Sequence, residues 1–396
     1  MLKKLSYKHT LRASYLGYIT QAIVNNFAPL LFLIFRDSFD IPLEKITLLI
    51  TVNFLTQLLI DFLSAKFVDK IGYRACIIGA HVSAGLGLIG LAVLPGLCGE
   101  PFVGLLISVI LYAIGGGLIE VLVSPMVEAC PTDNKSAIMS LLHSFYSWGA
   151  VAVILISTAF MAVFGKSSWP ILAILWAILP LGNALYFTVV PIATLTEEGD
   201  SMTLKALFTQ KTFWLFIVLM FAAGASELAM SQWASAFAES GLGISKALGD
   251  LTGPCLFAIF MGSARVFYAR CSEKVDLLSF IIGCSVLCMF SYLLAALSSV
   301  PVLSLAGCAL CGLSVGVMWP GVYSIASAQF PKGGTAMFAI LALAGDLGCS
   351  GGPTAVGLIS GLFHDNLKTG LLWAVLFPLI MFLFSSRYKT TKRLAK

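Results

Sequence analysis

Three acidic residues stand deep inside apolar stretches of the chain. Glu120, Glu227 and Asp346 each have predominantly apolar segments on both sides, and Asp61 lies toward the end of a further run. A carboxyl in hydrocarbon costs about 3 kcal/mol, so it normally faces a protein interior or a wet cavity. No Lys or Arg falls in the middle of an apolar run, so these acids have no embedded cation to pair with. Their available chemistry is proton exchange, cation binding or hydrogen bonding to a hydroxyl-rich ligand. An organic-anion substrate would call for a central Arg or Lys, and the pattern argues against one.

The polar residues around the acids repeat with helical spacing. Ser14, Tyr18, Gln21 and Asn25 share one helix face, as do Asn53, Gln57, Asp61 and Ser64. Glu120 precedes Ser124 by one turn, just after Gly115-Gly116-Gly117, and Glu227 stands over Ser231 with Gln232 and Trp233 adjacent. Gln21, Asn25, Glu120, Ser124, Glu227, Gln232 and Trp233 are therefore candidates for binding solute or protons. Such stripes can instead tie helices together, since Ser, Asn and Gln bond across membrane interfaces.

His143, in His143-Ser144-Phe145-Tyr146-Ser147-Trp148-Gly149, could relay a proton or simply pack. Trp319 lies one turn before Tyr323 and next to Pro320. Aromatic faces can stack on a sugar ring or anchor a helix at the membrane surface; Trp233 and Trp319 are the two expected in a cavity. Asp346 sits in the glycine-rich segment from Ala344 to Pro353. That segment reads either as a bent helix with free carbonyls or as a hinge whose broken end Asp346 caps.

These residues need elements to hold them, and composition identifies the kind. Of 396 residues, 59% are hydrophobic and only 11% charged, with mean hydropathy +0.96. A soluble domain carries about a quarter charged residues. Lipid must replace water over much of this surface. Runs near the ~20 residues that cross a bilayer occur at 11–35, 46–67, 75–97, 101–128, 136–164, 169–190, 212–238, 251–270, 276–298, 301–328, 334–362 and 369–386. The expected fold is all-α: a polytopic membrane protein of twelve transmembrane helices in two six-helix halves. The first run is too long for a cleaved leader and reads as a retained helix.

With both termini cytoplasmic, Arg36, Lys45, Lys166, Lys246 and Lys368 fall outside and every other Lys and Arg inside, in keeping with the positive-inside rule. The longest polar connection, with Glu197, Glu198 and Asp200, divides the chain into an N-terminal bundle (1–190), a central cytoplasmic loop (191–211) and a C-terminal bundle with a short basic tail (212–396). Two such halves, each of inverted three-helix repeats around a midplane site, are the common plan of secondary transporters.

Other classes find no footing. Ten cysteines are scattered, and the Cys308–Cys311 pair lies within an apolar helix with no second ligand pair, so it reads as packing. No metal, cofactor, nucleophile–base constellation or nucleic-acid patch is expected. The expected partners are a small-molecule substrate, coupling protons and the lipid bilayer, in the plasma membrane. Oligomeric state stays open, a monomer being sufficient.

The segment Ala65-Lys66-Phe67-Val68-Asp69-Lys70-Ile71-Gly72-Tyr73-Arg74 resembles the signature of the major facilitator superfamily, G-x-x-x-D-[RK]-x-G-[RK]-[RK]. Asp69, Lys70, Gly72 and Arg74 match it, while Ala65 and Tyr73 depart. The resemblance implies a gating role for the four matching residues. Gly262-Ser263-Ala264-Arg265, running to Arg270, is a degenerate echo in the second half.

Glu120-Val121-Leu122-Val123-Ser124-Pro125 is similar to the E-x-x-x-N-P pattern of the fucose–proton symporter family, and Asn25-Asn26 matches its paired asparagines. By that resemblance Glu120 would take part in sugar binding and proton coupling. The family's helix 1 acid corresponds here to Pro29, and its helix 4 Asn to Ser124. Either Glu120 acts alone or Glu227 supplies the second titratable group. The expected function is proton-coupled symport of a small neutral polyhydroxy solute such as a sugar; the alternative is proton-antiport efflux of hydrophobic or cationic compounds.

Overall fold

The computed structural model of the chain describes residues 5–41, 43–193, 201–234, 237–238, 243, 249, 251–364 and 366–394. Long helices dominate, and the described residues include no strand. The first six are α1 (Tyr7–Phe39), α2 (Leu43–Ile71), α3 (Tyr73–Leu97), α4 (Pro101–Ala129), α5 (Lys135–Phe164) and α6 (Trp169–Val189). A short α7 (Leu204–Thr209) precedes α8 (Lys211–Ser231), α9 (Leu256–Cys271), α10 (Leu277–Leu297), α11 (Pro301–Val315), α12 (Met318–Gln329), α13 (Gly334–Leu362), α14 (Leu367–Trp373) and α15 (Leu376–Leu394). Among the described residues, eleven segments are long and apolar enough to cross a membrane. At 33 residues α1 is also long enough to cross.

The chain divides into two compact units. Unit 1 holds Met1–Thr132, Trp148–Met202 and Lys332–Ala339; unit 2 holds Asp133–Ser147, Thr203–Pro331 and Ile340–Lys396. Helix α5 thus changes unit at Trp148 and α13 at Ile340.

Small residues set how closely the helices approach. In unit 1, Gly115 lies against the backbone of Ala80 and Ala84, Gly87 against Tyr112, and Gly104 against Leu94, so α3 and α4 meet along their length. In unit 2, Gly307 abuts Ala295, Gly312 abuts Phe257 and Gly348 abuts the Phe221 carbonyl. Such seams replace the hydrophobic drive that lipid removes. Leu55, Leu59 and Phe62 of α2 and Ile171, Ile178 and Leu185 of α6 remain exposed, the apolar surface that a bilayer solvates.

Several expected spans are segmented where proline removes an N–H. The run expected at 301–328 breaks between Val315 and Met318, because Pro320 cannot donate to the Gly316 carbonyl one turn back. The run at 369–386 parts between Trp373 and Leu376, just before Pro378, and its second piece continues helical to Leu394. The run at 251–270 opens with a π turn, Leu251–Cys255, around Pro254. The run at 212–238 is regular to Ser231. Glu197, Glu198 and Asp200 of the central connection, and Lys246, lie outside the described residues.

Candidate functional site

Within unit 1, α1, α2 and α4 form a polar ladder. Gln57 Nε2 donates to Asn25 Oδ1 at 2.9 Å, tying α2 to α1. One turn along α1, Gln21 Nε2 donates to Glu120 Oε2 on α4. Another turn on, the hydroxyls of Tyr18 and Ser124 lie 2.9 Å apart. The helices can come this close because Gly17 faces Val123 and Gly116 faces Val24 and Gln57. The expected one-face spacing of Tyr18, Gln21 and Asn25 is therefore a line of three interhelical bonds, and it brings Glu120, Ser124, Gln21 and Asn25 together.

Gln21 is 3% exposed. An ionised carboxylate can only accept, so the amide nitrogen must face Glu120. That leaves Gln21 Oε1 buried with no hydrogen-bond partner among the described residues. A buried acceptor in this condition costs about 1–3 kcal/mol, and a hydroxyl-bearing ligand would relieve it. Asn53 Oδ1, on the polar stripe of α2, is a second such acceptor.

In unit 2 the acid Glu227 has a counter-ion. Arg265 Nη2 lies 3.6 Å from Glu227 Oε2, and Arg265 is 3% exposed. This corrects the expectation that no cation accompanies the embedded acids: counted among the cytoplasmic charges, Arg265 is buried in α9. Its Nε donates to Gly316 O at 2.8 Å, the carbonyl that Pro320 leaves without an N–H. Its Nη1 donates to His143 O at 3.0 Å and Ser147 Oγ at 2.6 Å. The broken helix thus supplies part of the cradle for the buried cation.

The other expected residues of unit 2 are placed as follows. His143 is buried, its ring 5.9 Å from that of Tyr323. Trp319 stands edge-on to Tyr323 at 6.3 Å and lies across Gly345. Trp233 Nε1 donates to Pro353 O at 2.9 Å and its ring covers Gly357; Gln232 beside it is exposed. Asp346 lies on α13, which runs unbroken from Gly334 to Leu362. It therefore caps no broken segment, and the glycines around it form a packing seam. Gly345, Gly348 and Gly352 of that seam take Trp319, Phe221 and Ala225 against the backbone.

The superfamily profile of major facilitator transporters matches residues 14–353. The chain belongs to the major facilitator superfamily. It is an integral, multi-pass membrane protein with that superfamily's all-α transporter fold. Its fold is similar to a crystal structure of the fucose:proton symporter of E. coli, with TM-score 0.83 and 14% identity over 96% of this chain and 98% of that one. The proton:xylose symporter bound to 6-bromo-6-deoxy-D-glucose gives TM-score 0.83 at 12% identity, covering 96% and 95%. The human organic anion transporter MFSD10 gives 0.69 at 14%, covering 96% and 99%. No curated protein matches the sequence. At such identities the structures share a fold with this chain, and the solutes named are theirs.

The superfamily's signature segment takes specific positions in unit 1. Gly72 separates α2 from α3 at φ +94°, a conformation that L side chains rarely adopt, with its N–H on Val68 O. Arg74 Nη1 donates to Phe187 O at 2.6 Å and Thr188 O at 2.9 Å, and Nη2 to Val190 O at 3.0 Å. It caps the last carbonyls of α6 with positive charge where the helix dipole favours it. Thr335 Oγ1 donates to Asp69 Oδ1 at 2.7 Å and accepts from the Tyr73 hydroxyl. Tyr73, which departs from the signature, thereby joins Asp69 in holding the first turn of α13. Lys70 is exposed.

Sequence reasoning missed three buried polar groups. His81 of α3 is fully buried; Nδ1 lies 2.8 Å from Ile77 O and Nε2 2.9 Å from Asn183 Nδ2. Asn183 Nδ2 also reaches Ala13 O at 3.0 Å, so α1, α3 and α6 are joined at one point. A carbonyl only accepts, which fixes the proton on Nδ1. Arg265 is the second, and Glu128, buried two turns beyond Glu120, the third. For Glu128 the signal was its four-residue step from Ser124; for His81, the surrounding small residues.

Proposed function

We propose that this superfamily member is a proton-coupled symporter of a small neutral polyhydroxy solute such as a sugar, working by alternating access. Glu120 is its proton site. The observation that carries the reading is the Gln21–Glu120 bond, with Gln21 Oε1 buried beside it and needing a donor. An acid and an open acceptor side by side suit a solute that brings hydroxyls and a proton that binds with it. Asn25 and Ser124, on the same ladder, extend the polar face.

Glu227 is the weaker candidate for coupling, because Arg265 already neutralises it. The same pairing takes support from efflux of cations, which draws on bare acids in the cavity. The reading includes a place in the plasma membrane with both termini cytoplasmic, and a gating role for Asp69, Lys70, Gly72 and Arg74.

The test is uptake into proteoliposomes carrying the full chain, with an acid-outside pH gradient and a panel of radiolabelled sugars that includes fucose and xylose. A member of the panel should accumulate. Glu120→Gln should abolish accumulation and spare exchange of the same sugar. Accumulation that survives Glu120→Gln at full rate would remove Glu120 from the coupling step. Export of amphiphilic cations with no sugar uptake would favour antiport.

A further inference from the structure

We propose that Gln21 reads the protonation state of Glu120 and passes it to the bound solute by turning its side-chain amide over. The inference rests on the reading of Glu120 as the proton site. It adds a mechanism by which one proton changes what the solute meets.

The ladder isolates Gln21 for this role. The bond above it joins Asn25 to Gln57 and the one below joins Tyr18 to Ser124, all neutral groups. The middle bond is the one of the three whose partner is a carboxyl group, Glu120. With Glu120 ionised, Gln21 must show it the nitrogen, and the amide oxygen is directed away as a buried acceptor. When a proton binds the carboxylate, one O–H bond forms and the new hydroxyl must donate. Half a turn about the Cγ–Cδ bond brings Gln21 Oε1 to accept it and carries the amide N–H groups to the solute side. The position changes from acceptor to donor on uptake of one proton, and nothing else is transferred.

That change selects a class of solute. A hydroxyl donates and accepts, so it keeps a bond to Gln21 in either state by exchanging roles. An ether or carbonyl oxygen only accepts and is held only when Glu120 is protonated. Ionisable groups near the ladder along these helices include Tyr15 and Tyr18 on α1, Asp61 on α2 and His81 on α3, with Tyr112 and Glu128 each two turns from Glu120 on α4 itself. Tyr18 is bonded to Ser124, and His81 to Ile77 O and Asn183. Asp61 is buried and is the competing acid.

Infrared difference spectroscopy of the purified full chain in lipid, with the pH stepped and no solute added, tests the inference. Glutamine side chains carry a ¹³C label. Acidification should raise a carboxylic C=O band and, at the same midpoint, shift a labelled amide band. Both changes should vanish in Glu120→Gln. In Gln21→Met the carboxyl band should persist, moved to the frequency of a weaker hydrogen bond, while the amide change is lost. Gln21→Asn, too short to reach α4, should give the same loss and serves if the first variant does not fold. An amide band that stays still while the carboxyl titrates, or that survives both Gln21 variants, overturns the role of Gln21. A carboxyl band that survives Glu120→Gln and disappears in Asp61→Asn instead overturns Glu120 as the proton site.

Discussion

Arg265 and Glu227 form a buried ion pair, 3.6 Å between Nη2 and Oε2, in which the arginine is held more fully than the acid. Three further acceptors surround the guanidinium: Gly316 O, His143 O and Ser147 Oγ. Two of these are main-chain carbonyls, so the cation is fixed by backbone and Glu227 supplies the compensating charge. Glu227→Ala should therefore destabilise the chain by about 3 kcal/mol, the lower end of the loss for a buried pair with one member removed. Glu227→Gln, which keeps an acceptor, should lose less. Replacing both residues by Met should recover most of the loss, because no uncompensated charge remains. Denaturation of the purified variants in detergent measures this; a double variant weaker than either single one would show that the pair contributes more than charge balance.

Gly72 makes a sharper backbone prediction. A Cβ there would meet nothing within 4 Å, yet φ is +94°. Steric crowding is absent, and the whole cost of Gly72→Ala is the positive-φ extended backbone, with ψ 140°, that essentially only glycine adopts, about 1–3 kcal/mol. Gly79 on α3 also has open space around a built Cβ but is helical. Gly79→Ala should be neutral or stabilising by about 0.5–1 kcal/mol. Thermal unfolding of the two variants side by side should move the midpoint in opposite directions, and equal losses would contradict the assignment.

The spans were legible because a helix in lipid must be apolar for most of its length, and nothing else in a chain of this kind is. The ladder was half legible: Tyr18, Gln21 and Asn25 announced a common face, but Gln57 and Glu120 had to be found 32 and 99 residues further on. Arg265 was hidden for a physical reason. It lies five residues before the end of the run at 251–270, near enough to that end to be counted with the water-facing cations, and the acceptors that bury it come from α5 and from a helix break that Pro320 creates. The glycines near Asp346 suggested a bend because Gly and Pro loosen a helix in isolation. In the structure these glycines let Trp319, Phe221 and Ala225 pack against the backbone of α13, which continues unbroken through Pro353.

Asn183 holds two partners with one amide, so its loss should be felt twice. Asn183→Leu strands His81 Nε2 and takes away the second bond of the Ala13 carbonyl, which α1 already engages in its own helical ladder. The orphaned nitrogen costs about 1–3 kcal/mol, and the lost second bond to the carbonyl about 1 kcal/mol. His81→Phe removes one of the two and should be milder than Asn183→Leu. Adding His81→Phe to Asn183→Leu should then cost little more, since the second change removes a group already without its partner. Simple addition of the two losses would mean the bonds act independently.

Gly345 and Trp319 predict a rescue. A methyl at Gly345 would fall inside the indole of Trp319, which is buried and stands edge-on to Tyr323. Overpacking of this kind costs about 1–3 kcal/mol, and more where the neighbour has nowhere to go. The obstruction is a side chain, so shortening it should help: Gly345→Ala with Trp319→Leu should be more stable than Gly345→Ala alone. Gly348, one turn on, meets the Phe221 carbonyl instead. No side-chain truncation can move that backbone, so Gly348→Ala should lose stability that Trp319→Leu does not restore. If Trp319→Leu improves both variants equally, its effect is general and the indole is not what Gly345 accommodates.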